Sequence, residues 1–465
     1  MFFGRSKELE ILESLYNSDK FEFLVMYGRR RSGKTSILQQ FAKNHNVMFF
    51  SAQEQNNNLN MNEFVSMINN YFKINYFAKF DDWSEIINYL CDLIEKSDIE
   101  KPVLIIDEFP FIAKEYPAIK SIFQHTIDHK LKNKNFMLIL CGSSVSYMVN
   151  DVMGYQSPLY GRKTSQLEIK PFDYTITKEF FPKMSNIDKV ISYGILGGIP
   201  LYLSSFSDAK SVKDNIKDNI LSPQKFLFDE PLNLLRAELR EPAIYNSILT
   251  AIANGATKLS EISSKTNEET AKCSKYISVL KEIRLVNKNI PYGEKFDSKK
   301  GIYTLSDNFY KFWFKYIFNK QSQIELIGID NFANQIEMDL SNFIGPVFEN
   351  ICTQYLVNQA KKNTLPFIPN SISKWWGNNP ITKSQDDIDI MGTSENNGIF
   401  CECKFRNELF DLPELNDLIT SSKVFTNIEN KYYYIFVKSG YTKAVLDASK
   451  DLNIKLLTID DLFKD

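Results

Sequence analysis

Between an apolar run at residues 23–27 (FLVMY) and a helix-like stretch at residues 36–43, the chain places Gly28, Arg29, Arg30, Arg31, Ser32, Gly33, Lys34 and Thr35. This satisfies G-x-x-x-x-G-K-S/T in full. The glycines let the backbone turn tightly, so successive N–H groups and a helix N-terminus face one point and attract phosphate. Lys34 would neutralise charge on the β- and γ-phosphates, and the Thr35 hydroxyl would ligate Mg²⁺. A glycine-rich loop can also be a plain turn, but here strand, loop and helix stand in the order the mechanism needs. The expected cradle is Gly28 through Ser36, with ATP and Mg²⁺ as cofactors.

Three further apolar runs follow, at residues 47–51 (VMFFS), 103–106 (VLII) and 136–141 (FMLILC), each separated by helical sequence. Strands apolar on consecutive positions are buried on both faces, the mark of a parallel sheet between helices. The expected core is therefore three-layer α/β/α. The run at 103–106 ends in Asp107 and Glu108, a Walker B pattern. Asp107 would hold Mg²⁺ through water and Glu108 would polarise the attacking water; the alternative is two solvated acids. Ser143, just after the fourth run, can sense a γ-phosphate or cap a turn. Arg162 is an arginine finger, offered in cis or by a neighbouring subunit, or a solvated arginine. His125 and His129 have a helical metal-binding spacing but no third ligand in view.

Phe2-Phe3-Gly4-Arg5 with Glu8 and Leu9, the three loop arginines, the Cys141-Gly142-Ser143-Ser144 run and Gly197-Gly198-Ile199-Pro200 together resemble the archaeal-type ATPase family of the AAA+/STAND group of P-loop NTPases. The resemblance covers most of residues 1–235. It implies that Arg5 lies near the adenine and that Pro200 belongs to a helical lid beside the nucleotide. It further implies a winged helix and a C-terminal domain of unknown function after the core. The expected domains are residues 1–172 (ATPase core), 173–235 (lid), 236–320 (winged helix) and 321–465 (restriction-endonuclease-like α/β domain).

Composition narrows the partners. The 465 residues carry 55 Lys+Arg and 57 Asp+Glu, a net charge of −2, which excludes a wholesale polycation but not a local basic face. Six cysteines in a chain of this length form no disulfide framework, so reduced thiols and a cytoplasmic location are expected. The opening residues carry charges after a very short apolar stretch, the wrong order for a signal peptide. No apolar run nears the roughly 18–20 residues needed to cross a bilayer, so no membrane partner is expected.

From residue 236 to 310 the order is helix, short helix, longer helix (268–284), then two strand-like runs (285–290 and 301–305) around a Gly/Lys-rich turn, which is a winged-helix order. Lys272, Lys275, Lys281 and Arg284 on the third helix are offset by Glu268, Glu269 and Glu282, while Lys295, Lys299 and Lys300 lie on the turn. DNA contact through this face and a protein-partner role both remain open.

In the tail, Asp387 and Asp389 begin one strand, and Glu402 and Lys404 end the strand that returns after a turn at 396–398. Alternation points Glu402 and Lys404 to one face. Carboxylates on adjacent strands can hold Mg²⁺ or Mn²⁺, and a lysine can orient a water against a phosphodiester. The arrangement is similar to PD-(D/E)XK nucleases. That resemblance selects Asp389 over Asp387 as metal ligand, adds the helix-borne Glu349, and matches Trp375-Trp376 as a lead-in. Two functions compete. One is an ATP-dependent enzyme acting on nucleic acid through a metal-dependent nuclease. The other is a nucleotide-controlled switch or scaffold that binds DNA or protein, or assembles with copies of itself, and cuts nothing.

Overall fold

The computed structural model describes residues 2–75, 79–239, 241–295, 297–450 and 453–464. They form two compact units, Met1–Pro171 with Ile199–Leu201, and Phe172–Gly198 with Tyr202–Asp465. Among the described residues no helix is long and apolar enough to cross a membrane.

The first unit is built on β1 (Glu22–Tyr27), β2 (Val47–Ser51), β3 (Val103–Asp107), β4 (Met137–Gly142) and β5 (Ser165–Glu168), all parallel, in the order β2-β3-β4-β1-β5. Alternation explains both faces. Phe23, Val25, Leu104, Ile106, Leu138 and Leu140 join one core, while Leu24, Met26, Val103, Ile105, Met137 and Ile139 join the other. The first core is covered by α3 (Asn57–Tyr71), α4 (Trp83–Lys96) and α5 (Phe109–Glu115) through Phe64, Trp83, Ile86 and Phe109. The second is covered by α1 (Ser6–Tyr16) and α2 (Lys34–Ala42) through Leu12, Ile37, Leu38 and Phe41. Each such side chain withdrawn from water contributes about 1.5–3 kcal/mol, so facing apolar surfaces hold the three layers together. Asn56 and Asp82 accept backbone N–H bonds at the starts of α3 and α4, fixing where those helices begin. The short, half-exposed β5 carries no apolar run, and sequence pattern alone did not mark it.

In the second unit, helices Pro242–Ala253, Leu259–Thr266 and Thr270–Glu282 precede the antiparallel pair β6 (Val286–Asn289) and β7 (Ile302–Leu305). Asn267 and Arg284, at φ 54° and 60°, end the second and third helices in left-handed turns, which shortens the expected third helix at both ends. A 33-residue helix, Ile329–Lys361, leads to a mixed sheet of β8 (Ser371–Asn379), β9 (Ser384–Ser394), β10 (Asn397–Lys404), β11 (Asn430–Val437) and β12 (Ile454–Thr458) in the order β12-β11-β10-β9-β8. The β8, β9 and β10 strands run antiparallel, whereas β10, β11 and β12 run parallel. The long helix and the edge strand β8 were not resolved in the sequence pattern. The β6–β7 turn rests on β8: Tyr292 N–H donates to the Lys374 carbonyl at 3.0 Å, and Trp376 Nε1 donates to the Lys300 carbonyl at 3.3 Å.

Candidate functional site

The first site lies at the carboxyl ends of β1, β3 and β4, where the strand order reverses around β1 and α/β sheets receive ligands. Two glycines shape the loop. A Cβ on Gly28 would stand 2.4 Å from the Ile169 carbonyl oxygen, so only glycine lets the chain pass that close. Gly33, at φ 91°, starts α2 in a left-handed conformation and offers no side chain to cap the helix, leaving its first N–H groups for a ligand. Arg31, at φ 67°, is a second left-handed residue in the loop.

Lys34 is folded back on the loop, its Nζ donating to the Gly28 and Arg29 carbonyls at 2.8 and 3.1 Å. The Thr35 hydroxyl donates to Asp107 Oδ2 at 2.6 Å, joining residues 72 positions apart. Asp107 is almost wholly buried, and its Oδ1 accepts the Glu108 N–H at 3.0 Å. Glu108 stands at φ 52° and begins α5; a left-handed backbone costs a non-glycine residue about 1–3 kcal/mol and is characteristic of functional positions. Its Oε2 accepts both the Ser143 hydroxyl at 2.8 Å and the Ser143 N–H at 3.1 Å. A buried carboxylate facing a threonine hydroxyl supplies hard oxygen donors, so these residues fit Mg²⁺.

A model of an ATPase domain found predominantly in Archaea matches residues 2–206, and one of archaeal and bacterial proteins of unknown function matches residues 313–417. An uncharacterized protein of Methanocaldococcus jannaschii is 35% identical over 441 residues, covering 94% of this chain and 95% of that protein. The chain belongs to this archaeal ATPase family. An uncharacterized ATP-binding protein of the same organism is 23% identical over 266 residues, covering 44% of this chain and 69% of that protein. The Walker-type ATPase of Pyrococcus abyssi shares the fold at a TM-score of 0.52 and 22% identity, over 67% of this chain and 96% of that one.

Other residues marked in the sequence of this archaeal ATPase fall around the loop in different ways. Arg5 Nη2 donates to the Ser32 and Lys170 carbonyls at 3.1 and 2.9 Å, and Nη1 pairs with Glu8 at 2.8 Å. Burial lowers the Arg5 pKa, with Glu8 opposing. Arg5 thus ties the loop to the segment after β5. Pro200 Cγ stands 3.7 Å from where a Gly33 Cβ would lie, beside the loop. Arg162 grips Asp128 through Nε and Nη2 at 3.0 and 2.7 Å, and its Nη1 donates to the Pro158 and Tyr160 carbonyls. It is not a freely solvated arginine, and a finger role in cis would first require it to leave this pair. The His125 and His129 rings lie with centroids 4.4 Å apart, tilted 44° to each other.

The second cluster lies in the C-terminal sheet. Glu349 on the long helix and Asp387 and Asp389 on β9 come together around a residue the sequence did not flag, while Glu402 and Lys404 on β10 pair with each other. Lys374 Nζ stands 2.9 Å from Glu349 Oε2, 3.1 Å from Asp389 Oδ1 and 3.2 Å from Asp387 Oδ2. Asp389 Oδ2 accepts the Cys403 N–H at 3.0 Å, and Lys404 Nζ lies 2.5 Å from Glu402 Oε1. Burial, then the nearby Asp389, raises both Glu349 and Glu402 to about 7. Burial lowers Lys374, but Glu349, Asp389 and Asp387 more than reverse this, so it is held charged.

Among the described residues, no group of three or more His, Cys, Asp or Glu side chains stands ready to hold a metal. Of the expected metal-ligand set, Glu349 and Asp389 pair with Lys374, and Glu402 pairs with Lys404. The positive charge that Glu349 and Asp389 face is the Lys374 ammonium. Local spacing does not link Lys374 to these acids. A bulge in the β8–β9 pairing between Ser373 and Trp375 falls at this position, and such bulges re-aim side chains.

Proposed function

We propose that this archaeal ATPase hydrolyses ATP with Mg²⁺ at the Gly28–Thr35 loop and uses the cycle to control contact with nucleic acid. The 2.6 Å bond between Thr35 and Asp107, with Glu108 next in sequence, carries this reading. ATP binding would draw Lys34 from the Gly28 and Arg29 carbonyls to the β- and γ-phosphates, while the loop and α2 N–H groups take the remaining oxygens. Thr35 and Asp107 would hold Mg²⁺, which when bound offsets charge on the phosphates. Glu108 would orient the attacking water and accept its proton, with Ser143 alongside to register the γ-phosphate. Removing the Lys34 ammonium tests the reading: Lys34→Ala should lose ATP binding in a fluorescent-nucleotide titration. Retained affinity would overturn the site.

The exposed Lys272, Lys275, Lys295, Lys299 and Lys300 support nucleic acid, DNA included, as partner of the winged-helix region. A second reading is a nucleotide-controlled switch or scaffold that cuts nothing. The ammonium of Lys374 among the C-terminal carboxylates favours it. Cleavage of DNA that requires Mn²⁺ and disappears in Glu402→Ala would exclude this second reading.

A further inference from the structure

Three consecutive residues of β8 are held from outside their sheet. The Lys374 carbonyl accepts from Tyr292 N–H, and the Trp376 indole donates to the Lys300 carbonyl, both partners belonging to the β6–β7 turn. Between them, Trp375 packs edge-on against Phe425 at 5.4 Å, and Phe425 in turn meets the Tyr292 ring at 5.7 Å. The strand that delivers the Lys374 ammonium to Glu349, Asp387 and Asp389 is thus clamped by the turn between β6 and β7.

We infer that Lys374 is a resident counter-cation that closes the C-terminal carboxylates to divalent metal, and that the β6–β7 turn is the latch keeping it there. The inference rests on reading Glu349 and Asp389 as metal-type ligands. Charge argues for it. Three carboxylates with fractional side-chain exposures of 25%, 57% and 11% converge on one ammonium, whose removal leaves partly buried like charges uncompensated. A divalent ion carries twice the charge and prefers carboxylate oxygens, so it is the natural replacement. Geometry argues for it too, because the lysine needs only to withdraw along its flexible stem for the acids to face one another. Displacement of the β6–β7 turn by a ligand of the winged-helix region would loosen the strand and thereby couple that ligand to metal entry.

The test is Mn²⁺ binding to the nucleotide-free full-length chain, followed by the paramagnetic resonance signal of free Mn²⁺. Lys374→Met, which keeps the apolar stem, should bind one Mn²⁺ at least about tenfold more tightly than the parent, since losing the pairing cation is worth more than about 1.4 kcal/mol. Lys374→Arg should match the parent, and Tyr292→Ala, with its ammonium intact, should fall between them. Adding Asp389→Asn to Lys374→Met should abolish the gain. Equal, tight binding by parent and Lys374→Met that Asp389→Asn removes would overturn the latch while leaving the metal reading intact. Absence of any Asp389-dependent binding in Lys374→Met would overturn both. Should Lys374→Met lose its far-ultraviolet circular dichroism, Tyr292→Ala decides, and parent-like affinity there overturns the proposal.

Discussion

Ser143 makes two hydrogen bonds to one oxygen of Glu108, from its hydroxyl at 2.8 Å and its backbone N–H at 3.1 Å. The end of β4 therefore sets the direction of the acid at the end of β3. Replacing the hydroxyl leaves the backbone bond in place but frees one side of the carboxylate. A hydrogen bond to a charged group is worth about 1.5–3 kcal/mol. Ser143→Ala should accordingly lower kcat by about tenfold or more while ATP affinity changes little. Steady-state hydrolysis beside equilibrium nucleotide binding separates the two; an unchanged kcat removes Ser143 from the catalytic arrangement.

The loop's path beside β5 gives a structural prediction. Because a Cβ on Gly28 would meet the Ile169 carbonyl oxygen at 2.4 Å, Gly28→Ala must push backbone from backbone. A loss of about 2 kcal/mol or more is expected in urea unfolding, with ATP affinity lost as well. A parent-like midpoint and affinity would show that the loop does not need this close approach.

The crowded C-terminal carboxylates predict a pH dependence in metal-free buffer. Burial and Asp389 raise Glu349 and Glu402 from 4.5 to about 7. A raised carboxyl keeps its proton in the folded state after the unfolded chain has released it, so stability falls as pH rises between those values. The parent should thus lose stability relative to Glu349→Gln, and relative to Glu402→Gln, between about pH 5 and pH 8. Urea unfolding at both ends of the range measures this, and parallel curves would contradict it.

On the helix Thr270–Glu282, Lys272 is already paired with Glu268 at 2.8 Å, whereas Lys275 is exposed. Charge reversal at Lys275 should weaken DNA binding more than reversal at Lys272, and should reduce the salt slope by about one counterion. Fluorescence anisotropy across a salt series reads both. No change from either reversal would favour a protein partner on this face.

What could be read from sequence followed from what is local. Three of the four apolar runs became strands buried on both faces, β1, β3 and β4, whereas the edge strand β2 is fully buried only at Met48 and Phe50; the Gly28–Thr35 loop carried its chemistry within eight consecutive residues. The half-exposed β5 had no such pattern. Glu349, Asp389, Glu402 and Lys404 were legible as chemistry, but Lys374 was not. Its approach depends on strand register, a bulge at Ser373 and a turn more than 70 residues earlier, none of which spacing encodes. Likewise, Arg162 looked like a finger or a solvated side chain because nothing in its neighbourhood announced Asp128, 34 residues away.

The central claim is that the Gly28–Thr35 loop binds ATP and Glu108 drives its hydrolysis. Phosphate release under saturating Mg²⁺, measured together with ATP retention in the parent and in Glu108→Gln, tests it most directly. A general base contributes about 10²–10⁴-fold, so Glu108→Gln should still bind ATP but turn it over at least about a hundredfold more slowly. Parent-like turnover in Glu108→Gln, or a parent that neither retains nor hydrolyses ATP, would contradict the account.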